Sequence, residues 1–193
     1  MDSAARDVRQ MSFDQWVLDS AVSQRTAWLV DVVDVITDSG GTLASWLIAT
    51  LLTIVLLVRG LRTEALLIAG SMLTGLLVMS GLKRIFTRTR PPLPERLIEI
   101  DSYSFPSGHA MMSAILATSV AAVILRLALP RLAKMAMLAS LGLYTIAVGF
   151  SRVYLAAHWM TDVLAGWAFG MVWAGVWIWG TAQIRKRRAL VTS

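Results

Sequence analysis

Apolar residues gather in five long runs, near 42–58, 64–82, 107–127, 132–150 and 160–181, with short polar or basic segments between them. At about 1.5 Å of rise per helical residue, each run is long enough, or nearly so, to cross a hydrocarbon core of about 30 Å. The first run is the shortest. The fifth is the richest in tryptophan, with Trp159, Trp167, Trp173, Trp177 and Trp179. Tryptophan at a span end suits an interfacial belt, whereas mid-helix tryptophan packs against neighbours or lipid. Upstream, Trp28, Leu29, Val32, Val33 and Ile36 recur at helical spacing, with Asp31, Asp34 and Asp38 on the other side. That pattern predicts an amphipathic helix over about 13–38, either packed on the bundle or lying in the lipid interface. Gly40-Gly41 breaks it before the first span. The predicted fold class is all-α: a polytopic membrane helix bundle of about five transmembrane helices plus an N-terminal amphipathic interfacial helix. It reads as one domain over 1–193, with an amphipathic segment at 1–41, the bundle at 42–181 and a basic tail at 182–193.

Composition agrees with a membrane chain. Hydrophobic residues make up 56% and charged residues 16%, with mean hydropathy +0.65, and a soluble domain of this length rarely reads so apolar. The absence of cysteine excludes a disulfide framework and a thiolate metal site. The two histidines limit any imidazole site to two ligands. A net charge of +6 reflects cytoplasmic-side Lys/Arg in such a chain, so nucleic acid is a poor inference. The first 40 residues are acidic and lack the basic, apolar, small-residue order of a secretion signal, so insertion falls to the later helices. With alternating spans, Arg59, Arg62, Arg126, Arg131, Lys134 and Arg185-Lys186-Arg187-Arg188 share one side. Arg6, Arg9, Arg25, Lys83, Arg84, Arg88, Arg90, Arg96 and Arg152 share the other. Setting aside Lys83, Arg90 and Arg152 as site residues breaks that tie and makes the tail cytoplasmic. Arg126, near a helix end, is expected to snorkel to the interface.

Three segments then stand out, all on the opposite face from the tail. Lys83 and Arg90 are seven residues apart, two helical turns, and share a face if the second span continues that far. A doubly charged phosphate suits a forked arginine donor and a lysine point charge. A juxtamembrane cluster touching headgroups is the competing use, and the preferred one for Arg84, Arg88 and Arg96. Pro106-Ser107-Gly108-His109 opens the third span, with Ser107 as N-cap, Gly108 allowing close backbone approach and His109 in the first turn. Helix N-termini bind anions, although a simple cap beside an interfacial histidine accounts for the same residues. His158 and Asp162 are i and i+4 at a helix start, so the carboxylate can orient the imidazole, with Arg152 just upstream, although an interfacial His–Asp pair capping the fifth span accounts for the same residues. A metal site of His109, His158 and Asp162 is a rival, but converging cations favour an anion.

In order and internal spacing, K-x6-R-P, P-S-G-H and S-R-x5-H-x3-D resemble the signature of the type 2 phosphatidic acid phosphatase family. The match spans 83–162 without departure at any signature position. The resemblance implies that His158 is the nucleophile, that Asp162 orients it, and that His109 protonates the leaving lipid oxygen and then assists water. It implies that Lys83, Arg90, Ser107, Gly108 and Arg152 hold the phosphoryl group, with no metal and no cofactor. Membrane members usually have six spans, and here the acidic amphipathic segment stands where the first would be. The expected substrate is a lipid mono- or diphosphate in a bacterial-type inner membrane: undecaprenyl diphosphate, phosphatidylglycerophosphate or phosphatidic acid. A lipid phosphotransferase with the same phosphoenzyme and a non-catalytic lipid-phosphate carrier are the alternatives. Gly166-x3-Gly170-x3-Ala174 offers a homodimer face, although close packing within the bundle is the commoner use of such a stripe.

Overall fold

In the computed structural model, residues 2–98 and 100–192 are described, with side chains from Phe13 to Arg188 and at Leu190. Arg6, Arg9 and the chain ends, named in the charge count and domain limits above, lie outside those side chains. The described residues form seven helices and no strand: α1 Asp2–Ser23, α2 Ala27–Ser39, α3 Thr42–Val58, α4 Arg62–Phe86, α5 Gly108–Arg126, α6 Arg131–Tyr154 and α7 Met160–Thr192. By length and composition α4, α5, α6 and α7 can each cross a membrane. The 17 residues of α3 reach only about 25 Å. Counted with α2, to which α3 is bent by 45°, they bring the number of spans to five.

One sequence expectation changes here. The helix expected over 13–38 is two helices, interrupted at Gln24–Thr26. Only Val33 and Thr37 of α2 are buried, while Trp28 and Val32, assigned to its apolar face, are exposed. Gly40-Gly41 ends α2 as expected, with Gly40 as its C-cap and Gly41 as the N-cap of α3. A Cβ on Gly40 would stand 2.3 Å from Val148 Cγ1, so only glycine lets the bend seat against α6. Tyr144 Oη donates to the Ser39 carbonyl at 2.7 Å and fixes it there.

α5 is the most buried helix and sits between α4, α6 and α7. The small residues of α7 face it directly: Gly166 and Gly170 lie against the Ser107–Met111 backbone and Ala110 and Ala114, and Ala174 is fully buried. The stripe therefore packs inside the bundle, the commoner of its two readings, as close-packed membrane helices require. Ser71 and Ser119 share a buried 3.0 Å hydrogen bond between α4 and α5. Trp173 and Trp177 both donate to Thr74 Oγ1, at 3.0 and 2.9 Å.

At the end remote from the three motifs, Glu64 accepts from Arg185 at 2.8 Å, and Arg126 lies 3.7 Å away. Arg126 is thus turned to a carboxylate, not merely to the interface as expected. α7 continues helically through the basic segment at 182–192.

Candidate active site

Helix direction brings the motifs together. α4 ends, α5 begins, α6 ends and α7 begins at one end of the bundle, and the α2–α3 bend closes over it. Lys83, Arg90, Gly108, His109, Arg152 and His158 line one cavity of about 180 Å³, with Gly40 and Thr42 of the bend and Ile100 and Ser102 of the connecting loop. A larger cavity of about 380 Å³ lies between α5, α6 and α7. Its lining of Ala, Leu, Thr, Trp and Met contains no titratable group, so it carries no acid–base chemistry.

His158 lies on the short turn between α6 and α7 and is almost fully buried. Arg90 Nη1 stands 3.1 Å from His158 Nε2. A guanidinium only donates, so Nε2 is the acceptor and the ring proton sits on Nδ1. Nδ1 faces Ser104 Oγ at 3.4 Å and Asp162 Oδ2 at 3.5 Å. Ser104 Oγ donates to that same carboxylate oxygen, leaving its lone pairs for the imidazole N–H. Burial pushes the imidazole pKa down to about 3, against the hydrogen bond it donates to Asp162, which favours protonation. The unprotonated Nε2 lone pair therefore faces the cavity at neutral pH.

Asp162 has two duties. As the third residue of α7 its Oδ2 accepts from Trp159 N–H at 3.0 Å, which is the back-bonding half of a capping box. Its Oδ1 accepts from Arg88 Nη1 at 2.6 Å. Arg88, assigned from sequence to a headgroup cluster, instead reaches inward: Nη1 also donates to Thr161 Oγ1 at 2.7 Å and Nη2 to Asp14 Oδ2 at 2.6 Å. Arg84 is exposed, in keeping with that assignment, whereas Arg96 is half-buried.

Lys83 and Arg90 are held mainly by backbone carbonyls. Lys83 Nζ donates to the Tyr103 carbonyl at 2.5 Å. Because α4 stops at Phe86, Arg90 does not share a helix face with Lys83 as expected, and reaches the cavity from the loop. There it donates to the carbonyls of Ser102, Tyr103 and Ala157 and to Ser102 Oγ. Burial lowers its pKa to about 10, so it stays charged. Arg152 Nη1 donates to Thr37 Oγ1 at 2.7 Å while its buried Nε has no partner, leaving a donor for an anion. His109 Nε2 faces the bend: it lies 3.7 Å from where a Gly41 Cβ would stand.

Ser107 differs from its expected part. It holds the N-cap position of α5 but makes no side-chain cap bond. Its buried Oγ has no partner, and it is not among the cavity-lining residues. Its backbone is what serves, since Ser107 N donates to the Asp162 carbonyl at 3.0 Å and docks α5 on α7. Sequence reasoning missed Ser104, Thr37 and Asp14 altogether. Only the serine's place just before the P-S-G-H segment hinted at it.

The model of the PAP2 superfamily matches residues 64–186. Phosphatidylglycerophosphatase B of Bacillus subtilis (strain 168) is 33% identical over 168 residues, covering 83% of this chain and 79% of that protein. An undecaprenyl-diphosphatase of Sulfolobus acidocaldarius is 38% identical over 87 residues, 44% of this chain and 37% of that one. The crystal structure of a transmembrane PAP2-type phosphatidylglycerolphosphate phosphatase from Bacillus subtilis superposes with a TM-score of 0.81 at 30% identity. It covers 90% of this chain and 86% of that one. Aquifex aeolicus LpxE shares the fold at a TM-score of 0.67 and 20% identity, over 85% and 93% of the two chains. With the family model spanning every residue of the cavity that the three motifs supply, the chain belongs to the PAP2 superfamily.

Proposed function

We propose that this chain is a metal-independent membrane lipid phosphatase that works through a phosphohistidine on His158. The observation that carries the reading is the Nε2 lone pair of a buried, neutral histidine opening onto a cavity ringed by Lys83, Arg90 and Arg152. A phosphate entering there is drawn by three cations and by the free N–H groups of the first turn of α5 at Gly108 and His109. Arg90 Nη1 passes from Nε2 to a phosphoryl oxygen, freeing the lone pair. Nε2 then forms a bond to phosphorus while the bond from phosphorus to the lipid oxygen breaks, and His109 gives that oxygen its proton. Asp162 and Ser104 take up the positive charge that develops on the ring through Nδ1–H. In the second half-reaction water attacks phosphorus, His109 accepts its proton and the N–P bond breaks, restoring neutral His158. The cations stabilise the charge on the phosphoryl oxygens in both steps.

The cavity lies at one end of spans long enough to cross the bilayer, which suits a phosphate at headgroup level on a lipid anchored between helices. Similarity to phosphatidylglycerophosphatase B supports phosphatidylglycerophosphate as the first substrate to test, ahead of undecaprenyl diphosphate and phosphatidic acid. The charge asymmetry of the loops supports a cytoplasmic tail and a site on the outer face.

The test is phosphate release by purified protein in detergent with excess chelator, presenting the three lipids in parallel. Release by wild type and none by His158→Ala is the expected result. Turnover by folded His158→Ala overturns the phosphohistidine, and activity restored only by a divalent ion overturns metal independence.

A further inference from the structure

Behind the catalytic histidine lies a buried carboxylate that the proposed chemistry does not use. Asp14 is 1% exposed, and it belongs to α1, outside the stretch that the family model matches. Its Oδ1 accepts from Thr161 N at 2.9 Å, and its Oδ2 accepts from Thr161 Oγ1 and Arg88 Nη2, both at 2.6 Å. Thr161 precedes Asp162 in the first turn of α7, so a carboxylate from another helix satisfies an N–H that the helix cannot pair itself. Arg88 bridges the two aspartates, donating through Nη2 to Asp14 and through Nη1 to Asp162 Oδ1. Its guanidinium also lies 5.7 Å from the Trp159 ring.

We infer that Asp14 is a positioning residue for the reaction, acting through Arg88 and Thr161 to set the rotation of the Asp162 carboxylate. The geometry explains how. With Oδ1 held by Arg88, Oδ2 is left to Ser104, the Trp159 N–H and the Nδ1 side of His158. A planar guanidinium fixed at both ends has little freedom to turn, so Asp14 restricts Arg88 and Arg88 restricts Asp162. Without Asp14, Arg88 carries one buried acceptor fewer and can leave Asp162 for solvent, since its own side chain is 22% exposed. The docking of α1 around Asp14 is apolar: Val17 and Ala21 pack on Ala110, Val153, Met160 and Val163, and Leu18 on Ala156 and Trp159. Helix attachment and carboxylate positioning are thus separable by mutation.

The inference rests on the phosphohistidine reading. Asp14→Asn keeps the side-chain volume and the Oδ1 bond to Thr161 N, but sets an amide N–H₂ against Arg88, which has no acceptor. Val17→Ala loosens the same helix without touching the polar path. Steady-state kinetics, inhibition by vanadate and thermal unfolding are measured for both. The expected result for Asp14→Asn is a fall in kcat of about 10- to 100-fold with KM and vanadate inhibition within about threefold of wild type. Val17→Ala is expected to lower the unfolding temperature while retaining kcat. In an Arg88→Ala background, Asp14→Asn should cost less than about twofold more, because both act on one path.

A folded Asp14→Asn protein with wild-type kcat overturns the inference. So does a loss matched by Val17→Ala at equal loss of stability, or a loss that multiplies in full with Arg88→Ala. If Asp14→Asn does not fold, Thr161→Val interrupts the same path from the other side, and unchanged kcat there overturns it equally. His158→Ala is run alongside. Its failure to abolish turnover would sink the phosphohistidine reading, whereas a dead His158→Ala beside a fully active Asp14→Asn would sink this inference alone.

Discussion

Adding one methyl group at Gly166 tests whether the contact of α5 with α7 sets the geometry of the site. A Cβ there would stand 2.8 Å from the Ser107 carbonyl oxygen and 3.0 Å from Ala110 Cβ, and ordinary contact begins at 3.4 Å. Both obstacles belong to backbone or to a side chain with no rotamer, so the helices must part by about 0.6 Å. Overpacking of this kind costs about 1–3 kcal/mol. The displaced segment carries Gly108 and His109, while α7 carries Asp162, so the parting opens the distance between the proposed anion site and the carboxylate beside His158. A misplacement approaching 1 Å costs up to about 100-fold in rate, and Gly166→Ala is expected to lose about 10-fold or more in kcat. Gly170→Ala meets the Met111 carbonyl at 2.6 Å, one turn further from the cavity, and should destabilise at least as much while losing less activity. Gly175→Ala, with nothing within 4 Å, should gain up to about 1 kcal/mol from helix propensity and keep full activity. Thermal unfolding in detergent and phosphate release report the two effects. Equal stability and activity for the 166 and 175 variants would refute the reasoning.

Two further expectations follow from charges. Because burial holds His158 neutral to about pH 3 while the unfolded imidazole titrates near 6.5, the unfolded chain binds the extra proton in that window. Stability should therefore fall as pH drops from about 6.5 towards 3. Unfolding temperatures of His158→Gln should lack that component, and parallel curves would contradict it. At the other end, Glu64→Gln leaves Arg126 and Arg185 facing a neutral amide. Since Arg185 is 47% exposed, the expected loss is about 1–2 kcal/mol, below the 3–5 kcal/mol of a fully buried pair. An unchanged unfolding temperature would show that the cluster contributes nothing to stability.

The spans were legible because apolar length is a local property, and the three motifs because their internal spacing is local too. Arg88 was not. Both of its carboxylate partners are 74 residues away along the chain, and beside other arginines it looks like one more headgroup cation. The partnership of Arg152 with Thr37, 115 residues apart, is invisible for the same reason. The split of the first amphipathic segment escaped notice because Gln24–Thr26 contains neither glycine nor proline. Ser107 shows the opposite error: a residue type that favours caps was given a bond that its buried hydroxyl does not make, while its main chain carries the contact.

The ion cluster at Glu64 has a mechanical consequence for chemistry it never touches. It ties the start of α4 to the ends of α5 and α7, and the stretch of α4 from Glu64 to Lys83 forms an arm of about 29 Å. A pivot of about 2° at the tied end swings Lys83 by about 1 Å, which is the scale of error that costs a reaction about 100-fold. Fastening the bundle at its far end thus bears on the aim of the near one, and a charge lost among Glu64, Arg126 and Arg185 should blur the proposed phosphate site as well as lower stability.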